Sequence, residues 1–238
     1  MHPTTHEQSG QGIRIGIIDS GVHATHPHVY GVSGGVGFDS DGHQHDDYTD
    51  RLGHGTAVAA AIRERAPASD LFAIKVFDSF LSATIDALVN AIDWAATHQM
   101  KVINLSLGTT KPEHKSPLSA AVDRACECGV IIVSAFDRGE ADWLPGSLPS
   151  VIPVELDWQC PRNEFRTTTT TDGRIIFLAS GFPRSIPGVP PSKNLKGLSF
   201  AVANMTGFVV KTLGTLPNAS VKEIVHLLLA QAASTHVP

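Results

Sequence analysis

The feature that most constrains this chain is an alternation: short apolar runs closed by turn residues are separated by longer segments with helical periodicity. Ile13 to Ile18 reads as a buried strand ending at Asp19, where Ser20-Gly21 turns the chain. Residues 54–65 then read as a helix and Leu71 to Val76 as a second buried strand. Over residues 82–98, Ile85, Leu88, Val89, Ile92 and Ala96 recur at helical spacing and define one face. Strand Val102 to Leu107, a helix over 117–128 and strand Val130 to Ala135 follow, with Gly129 ending the helix. Strands alternating with helices in this way lead to a parallel sheet, because the helical crossovers cover both of its faces. The predicted fold is α/β with three layers and a mainly parallel sheet.

The stretch 151–181 reads differently. Thr167 to Thr171 is a β-branched run that meets Asp172-Gly173 and then Arg174 to Leu178, a two-residue hairpin signal. A helix over 199–213 and a last one from Ser220 close the chain, and Ser220-Val221-Lys222-Glu223 fits a capping box. No internal repeat or linker interrupts the sequence, so the expectation is a single domain over 1–238.

Composition excludes several functions. With 42% apolar and 17% charged residues, the 238-residue chain can bury a sizeable core. A net charge of -5 with scattered Lys and Arg gives no footprint for nucleic acid or an anionic membrane. No window approaches the roughly 18–20 apolar residues that a membrane span requires. The first eight residues lack the basic patch and apolar run of a secretory signal. The three cysteines are an odd number, and Cys126 and Cys128 are poorly placed to pair with each other or to bind zinc. They read as reduced thiols, so the expected location is cytoplasmic.

Three segments carry reactive residues in telling places. In Ile15-Gly16-Ile17-Ile18-Asp19-Ser20-Gly21, an acid closes a buried strand at the edge where open α/β sheets place their sites. In Gly53-His54-Gly55-Thr56, a histidine flanked by glycines opens a helix. In Gly197-Leu198-Ser199-Phe200-Ala201, a serine opens an apolar helix. Each alone has an ordinary structural explanation, as a turn acid, a surface imidazole and a helix cap. Together they support a triad in which Asp19 orients His54, His54 takes the Ser199 proton, and the alkoxide attacks a carbonyl. The helix start at Ser199 adds backbone N–H groups and a positive dipole end beside the developing oxyanion.

With these motifs in hand, the chain resembles the subtilisin-like serine proteases over roughly residues 11 to 235. Ile17-Ile18-Asp19-Ser20-Gly21-Val22 with Thr25-His26-Pro27, then Gly53-His54-Gly55-Thr56, then Gly197-Leu198-Ser199-Phe200-Ala201 through to Gly207, follow the family's Asp, His, Ser order. Val102 to Gly108 resembles the strand that pairs with bound peptide, which implies substrate contacts at Ser106, Leu107 and Gly108. Phe80 and Leu81 fall where relatives carry a second flanking strand; an apolar rim and ordinary core packing are both open for them. Trp143 falls two residues before Pro145-Gly146, where relatives have a small residue at the floor of the main specificity pocket. The resemblance implies a serine endopeptidase acting on peptide or protein substrates without a cofactor, here as an intracellular processing enzyme. A peptide transamidase using the same triad, or a weakened subtilase that mainly binds peptides, are the alternatives.

Departures from the family pattern also carry information. After Ile131-Ile132-Val133, the place of the asparagine that stabilises the oxyanion holds Asp137, whose carboxyl can donate only when protonated. The competing reading has Asp137 pointing away and paired with neighbouring Arg138, with backbone N–H groups sufficing for the oxyanion. The serine motif carries Leu198 and Ala203 for threonine and proline, and Ala57 replaces a second histidine. The loop Arg63 to Asp70 is too short for the calcium-binding insertion of many relatives. The acidic and histidine-rich run Asp39 to Asp47 has no diagnostic metal spacing and reads as a solvated loop.

Overall fold

The computed structural model describes residues 9–78, 80–139 and 142–232. In chain order its strands are β1 (Arg14–Asp19), β2 (Gly34–Phe38), β3 (Gln44–His45), β4 (Asp70–Lys75), β5 (Val102–Leu105), β6 (Ile131–Ala135), β7 (Ile152–Leu156), β8 (Phe165–Thr169) and β9 (Ile175–Ala179). The helices are α1 (His54–Arg65), α2 (Ile85–Thr97), α3 (Lys115–Glu127), α4 (Leu198–Leu213) and α5 (Val221–Gln231). The strands form one sheet in the order β3-β2-β4-β1-β5-β6-β7-β9-β8. Every neighbouring pair from β2 to β9 is parallel, and only the edge strands β3 and β8 run antiparallel.

Both faces of this sheet are covered, which is why its central strands are apolar runs and not alternating ones. Ile131 and Val133 face a core shared with Val58 and Ile62 of α1, Val202 and Val209 of α4, and Leu228 of α5. Ile132 and Ile103 face the opposite core, with Leu88 and Ile92 of α2 and Leu118 and Val122 of α3. Each such side chain removed from water contributes about 1.5–3 kcal/mol. The three layers and the mainly parallel sheet agree with the sequence expectation.

Several boundaries differ from it, each for a local reason. Helix α2 starts at Ile85 and not at 82, because the Thr84 side chain accepts the Ala87 N–H and caps it. Strand β5 ends at Leu105, so Ser106, Leu107 and Gly108 lie outside the ladder. Phe80 and Leu81 sit in bends and not in a strand, 79% and 57% exposed, which removes core packing as their role. The Asp172-Gly173 hairpin has a three-residue loop: Thr170 and Arg174 still pair, and Gly173 takes the left-handed conformation at φ 86. Strands β2, β3 and β7 have no counterpart in the sequence reading. Strand β2 is glycine-rich and β7 contains Pro153, both of which weaken a strand pattern.

Candidate active site

Because the strands are parallel, their carboxyl ends share one edge, and the chemistry gathers there. Strand β1 delivers Asp19 at its last position, β5 delivers Ser106 just past its end, and β6 delivers Phe136 and Asp137 just past its own. The amino ends of α1 and α4 bring His54 and Ser199 to the same edge.

The start of α1 is docked on the turn that follows Asp19. The Gly55 N–H donates to Ser20 Oγ at 2.9 Å, and the Thr56 N–H donates to Asp50 Oδ2 at 2.8 Å. Two first-turn donors that the helix itself cannot satisfy are thus taken by the Asp19 turn and by a buried carboxylate. Asp50 also accepts from the Gly53 N–H at 2.8 Å, the Leu52 N–H at 2.9 Å and the Ser20 hydroxyl at 2.9 Å. Burial would raise its pKa, but the hydrogen bonds from Thr56, Ser20 and Gly53 outweigh that and hold it below the ordinary carboxylate value. Sequence reasoning missed Asp50. The available signal was an acid four residues ahead of His54, beside a glycine that has no side chain to cap with.

Close approach is possible because residue 55 is glycine. A Cβ there would lie 2.2 Å from the Gly21 carbonyl oxygen and 3.1 Å from Asp19 Oδ1. The result is a 2.7 Å hydrogen bond between His54 Nδ1 and Asp19 Oδ1, with Asp19 fully buried and His54 mostly so. Nδ1 donates to the carboxylate, which leaves Nε2 as the basic nitrogen. Burial lowers the His54 pKa, but the Asp19 hydrogen bond and the charges of Asp19 and Asp50 more than reverse this, so it is raised above 6.5.

Ser199 lies in the first turn of α4, and the ring of the next residue, Phe200, is 5.7 Å from the His54 ring. The Ser199 hydroxyl donates to the Ser106 carbonyl at 3.3 Å, and the Ser106 hydroxyl donates to the Ser199 carbonyl at 3.2 Å. Behind them, buried Asn104 donates to Ser106 Oγ at 2.8 Å and accepts from Thr206 Oγ1 at 2.9 Å. This chain clamps α4 to the end of β5. Asn104 and Thr206 also went unnoticed in the sequence, since a polar residue inside an apolar run shows its partner only in the fold.

Asp137 is exposed beside β6, with Phe136 and Trp143 lining the same cavity of about 500 Å3. Its neighbour Arg138 does not pair with it: the guanidinium donates to both Glu155 oxygens at 2.7 and 2.8 Å. The adjacent strand β7 places Glu155 there, so the Asp137–Arg138 pairing considered above is corrected. Trp143 also faces the segment that follows β5. A Cβ on Gly108 would lie 2.1 Å from Trp143 Nε1, so the indole stands against Gly108, and Nε1 is buried with no acceptor. Leu81, Leu107 and Gly108 share a smaller cavity of about 220 Å3, whereas Phe80 lines a separate one of about 900 Å3 with Phe77 and Lys75. In the 39–47 run, ligand atoms of Asp39, Asp41 and His43 come within 4.8 Å of one another at the surface. One oxygen of Asp39 already accepts the Asp41 and His43 N–H groups at 2.9 and 2.8 Å, which closes the loop on itself.

Comparison with known proteins adds a family. The model described as the Subtilase family matches residues 10–138. Subtilisin from Bacillus pumilus is 30% identical over 223 residues, covering 86% of this chain and 75% of the relative. Subtilisin DY from Bacillus licheniformis is 31% identical over 244 residues, covering 94% and 85%. Subtilisin E from Bacillus subtilis (strain 168) is 29% identical over 223 residues, and the match spans only 54% of its length. Among solved structures, that of Sphericase superposes with a TM-score of 0.74 at 26% identity, covering 93% of this chain and 83% of that one. With its ordered Asp, His and Ser motifs on a shared sheet edge, the chain belongs to the subtilase family of serine-type endopeptidases.

Proposed function

We propose that this chain cleaves peptide bonds through an acyl-enzyme, with Ser199 as nucleophile, His54 as base and then acid, and Asp19 as the orienting carboxylate. The observation that carries this reading is the 2.7 Å bond from His54 Nδ1 to buried Asp19, at the same sheet edge as the first turn of α4. His54 Nε2 takes the Ser199 hydroxyl proton as Oγ bonds to the substrate carbonyl carbon. The imidazolium then gives that proton to the leaving nitrogen as the C–N bond breaks. Water then completes the cycle: His54 Nε2 takes a water proton as the water oxygen bonds to the acyl carbon, the C–Oγ bond breaks, and the imidazolium returns the proton to Ser199 Oγ. The Ser199 N–H, without an acceptor inside the helix by its position, and the Asp137 position make up the oxyanion site of this reading.

The substrate chain runs along Ser106, Leu107 and Gly108, with Leu81 and Phe80 as an apolar rim. The location in keeping with three unpaired cysteines is intracellular, and the role is processing of peptide or protein precursors. A second reading, a subtilase that binds peptides but turns them over weakly, draws on the carboxylate at Asp137 and on a Ser199 hydroxyl that bonds to Ser106 in place of His54. Apo sites often tighten only when substrate arrives, so the first reading stands as the conclusion. Labelling by a fluorophosphonate probe separates the two. The parent should label at Ser199 and lose peptidase activity with it. Ser199→Ala should fold but neither label nor cut, losing on the order of 10⁶ in kcat, the magnitude established for the triad of subtilisin itself. More than a tenth of the activity retained in Ser199→Ala would remove it from the nucleophile role. Mass spectrometry of the products separates hydrolysis from transfer to an amine.

A further inference from the structure

A cavity of about 460 Å3 opens against α1, bordered by Gly53, the neighbour of His54, and lined by none of Ser106, Leu107 and Gly108. Its wall gathers His23, His26 and His28 from the segment after β1, and Arg184 and Lys193 from the segment between β9 and α4. The positive charge is local, since the whole chain carries -5. Among the described residues, the one carboxylate in the wall is Asp50, whose oxygens are already occupied by Ser20, Leu52, Gly53 and Thr56. Arg184 donates to the His28 carbonyl at 3.2 Å and lies 5.9 Å from the Tyr30 ring, but neither it nor Lys193 meets a carboxylate among the described residues. Glu64, whose charge reaches His28, is held by Arg162.

Three imidazoles stand in the same wall as these two cations. The backbone N–H of His28 donates to His26 Nδ1 at 3.2 Å, which sets the orientation of that ring. Burial, and then the charges of Arg184 and His26, lower the His28 pKa, as expected of a ring in a positive field. The apolar part of the wall includes Ala57 and Ala60 of α1, Pro183, Ile186, and Leu195, four residues before Ser199. Two fixed cations, imidazole N–H groups and an apolar floor suit a carboxylate on a short aliphatic stem.

Position identifies where that carboxylate comes from. In the proposed reaction the acyl half of the substrate stays with Ser106–Gly108, and the leaving nitrogen must lie at His54 to receive its proton. The chain beyond that nitrogen has to leave on a side other than Ser106–Gly108, and Gly53 beside His54, Ala57 in the next turn of α1 and Leu195 ahead of Ser199 border this cavity. We propose that the cavity is a binding subsite for an Asp or Glu side chain carried by the substrate within the first few residues after the scissile bond.

This inference rests on the acyl-enzyme reading, and the test keeps the two apart. Internally quenched peptides are prepared that differ only in carrying Glu, Gln or Lys at each of the first three positions on the leaving side. The expected result is a kcat/KM for Glu about five- to tenfold above Gln at one of them, shrinking toward unity in roughly 1 M salt. The Glu-to-Gln ratio should fall to about one in Arg184→Gln/Lys193→Gln, and Arg184→Glu should favour Lys. Because Arg184 also holds the His28 carbonyl, Lys193→Gln alone, on an exposed segment, gives an independent arm and should lower the ratio about twofold. Equal rates for Glu and Gln at all three positions, or a ratio unmoved by either variant, would overturn the proposal while leaving the acyl-enzyme reading in place. If no peptide is cut, the acyl-enzyme reading fails, and anisotropy with Ser199→Ala and the same peptides decides this one: equal affinity for Glu and Gln rejects it.

Discussion

His54 is pulled in two directions by its surroundings. Burial disfavours its charged form, while the Asp19 hydrogen bond and the charges of Asp19 and Asp50 favour it and prevail. A general base must be neutral, so kcat/KM should rise with pH along a limb centred above 6.5. The matching stability term has the opposite sign. A raised folded-state pKa stabilises fully below the unfolded value and loses that contribution as pH climbs through the folded one. The pair therefore helps stability least where the enzyme is most active. A pH–rate profile with an uncharged peptide checks the limb, and a midpoint below 6.5 would contradict it. Asp137 raises a different question at the same scale. If it occupies the oxyanion position, Asp137→Asn supplies an N–H donor at every pH and should raise kcat near pH 8 by up to roughly 10²-fold. An Asn variant no faster than the parent at pH 8 would leave the oxyanion to backbone N–H groups alone.

At the scale of elements, α1 carries His54, and its seating depends on Gly55. A methyl group at 55 meets the Gly21 carbonyl at 2.2 Å, backbone against backbone, so neither side can yield by turning a side chain. Gly55→Ala should shift the start of α1 away from the Asp19 turn, lengthen the His54–Asp19 bond and strand the donors that Ser20 and Asp50 satisfy. The expected cost is about 1–3 kcal/mol of stability, with a loss of activity larger than that figure explains. Thermal unfolding and kcat/KM measured on the same sample check it; unchanged activity would show that the contact relaxes freely. The boundaries of α1, and the capping box that opens α5 with Ser220 and Glu223, were readable in the sequence because periodicity and caps are local. Strands β2 and β7 were not, because Gly34-Gly35-Val36-Gly37 and Pro153 look like loop chemistry until neighbouring strands pair with them.

At the scale of the whole molecule, the proposed substrate cleft is assembled from distant segments: the residues after β5, the residues after β6, and Trp143. The indole stands against Gly108 and lines one cavity with Phe136 and Asp137; on the proposed reading it shortens the pocket for the side chain before the scissile bond. Forcing a large side chain in would cost about 1–3 kcal/mol through overpacking. A peptide-library profile should therefore favour small residues there, and Trp143→Gly should shift it toward larger ones. A parent profile led by Phe or Leu would show that the indole swings aside.

The sequence by itself determined the three-layer α/β arrangement and the order of its reactive motifs. Apolar runs too continuous for a solvent-facing strand can be buried only between helices, and a motif's residues are neighbours in the chain. What only the tertiary structure decided are the relations between groups far apart in sequence. Asp50 satisfies the start of α1, Asn104 ties Thr206 to Ser106, Arg138 turns to Glu155, and the imidazoles after β1 meet Arg184 and Lys193. Such contacts are set by which strands lie side by side and how closely helices approach them, and polar groups buried by that packing must find partners wherever the fold brings them.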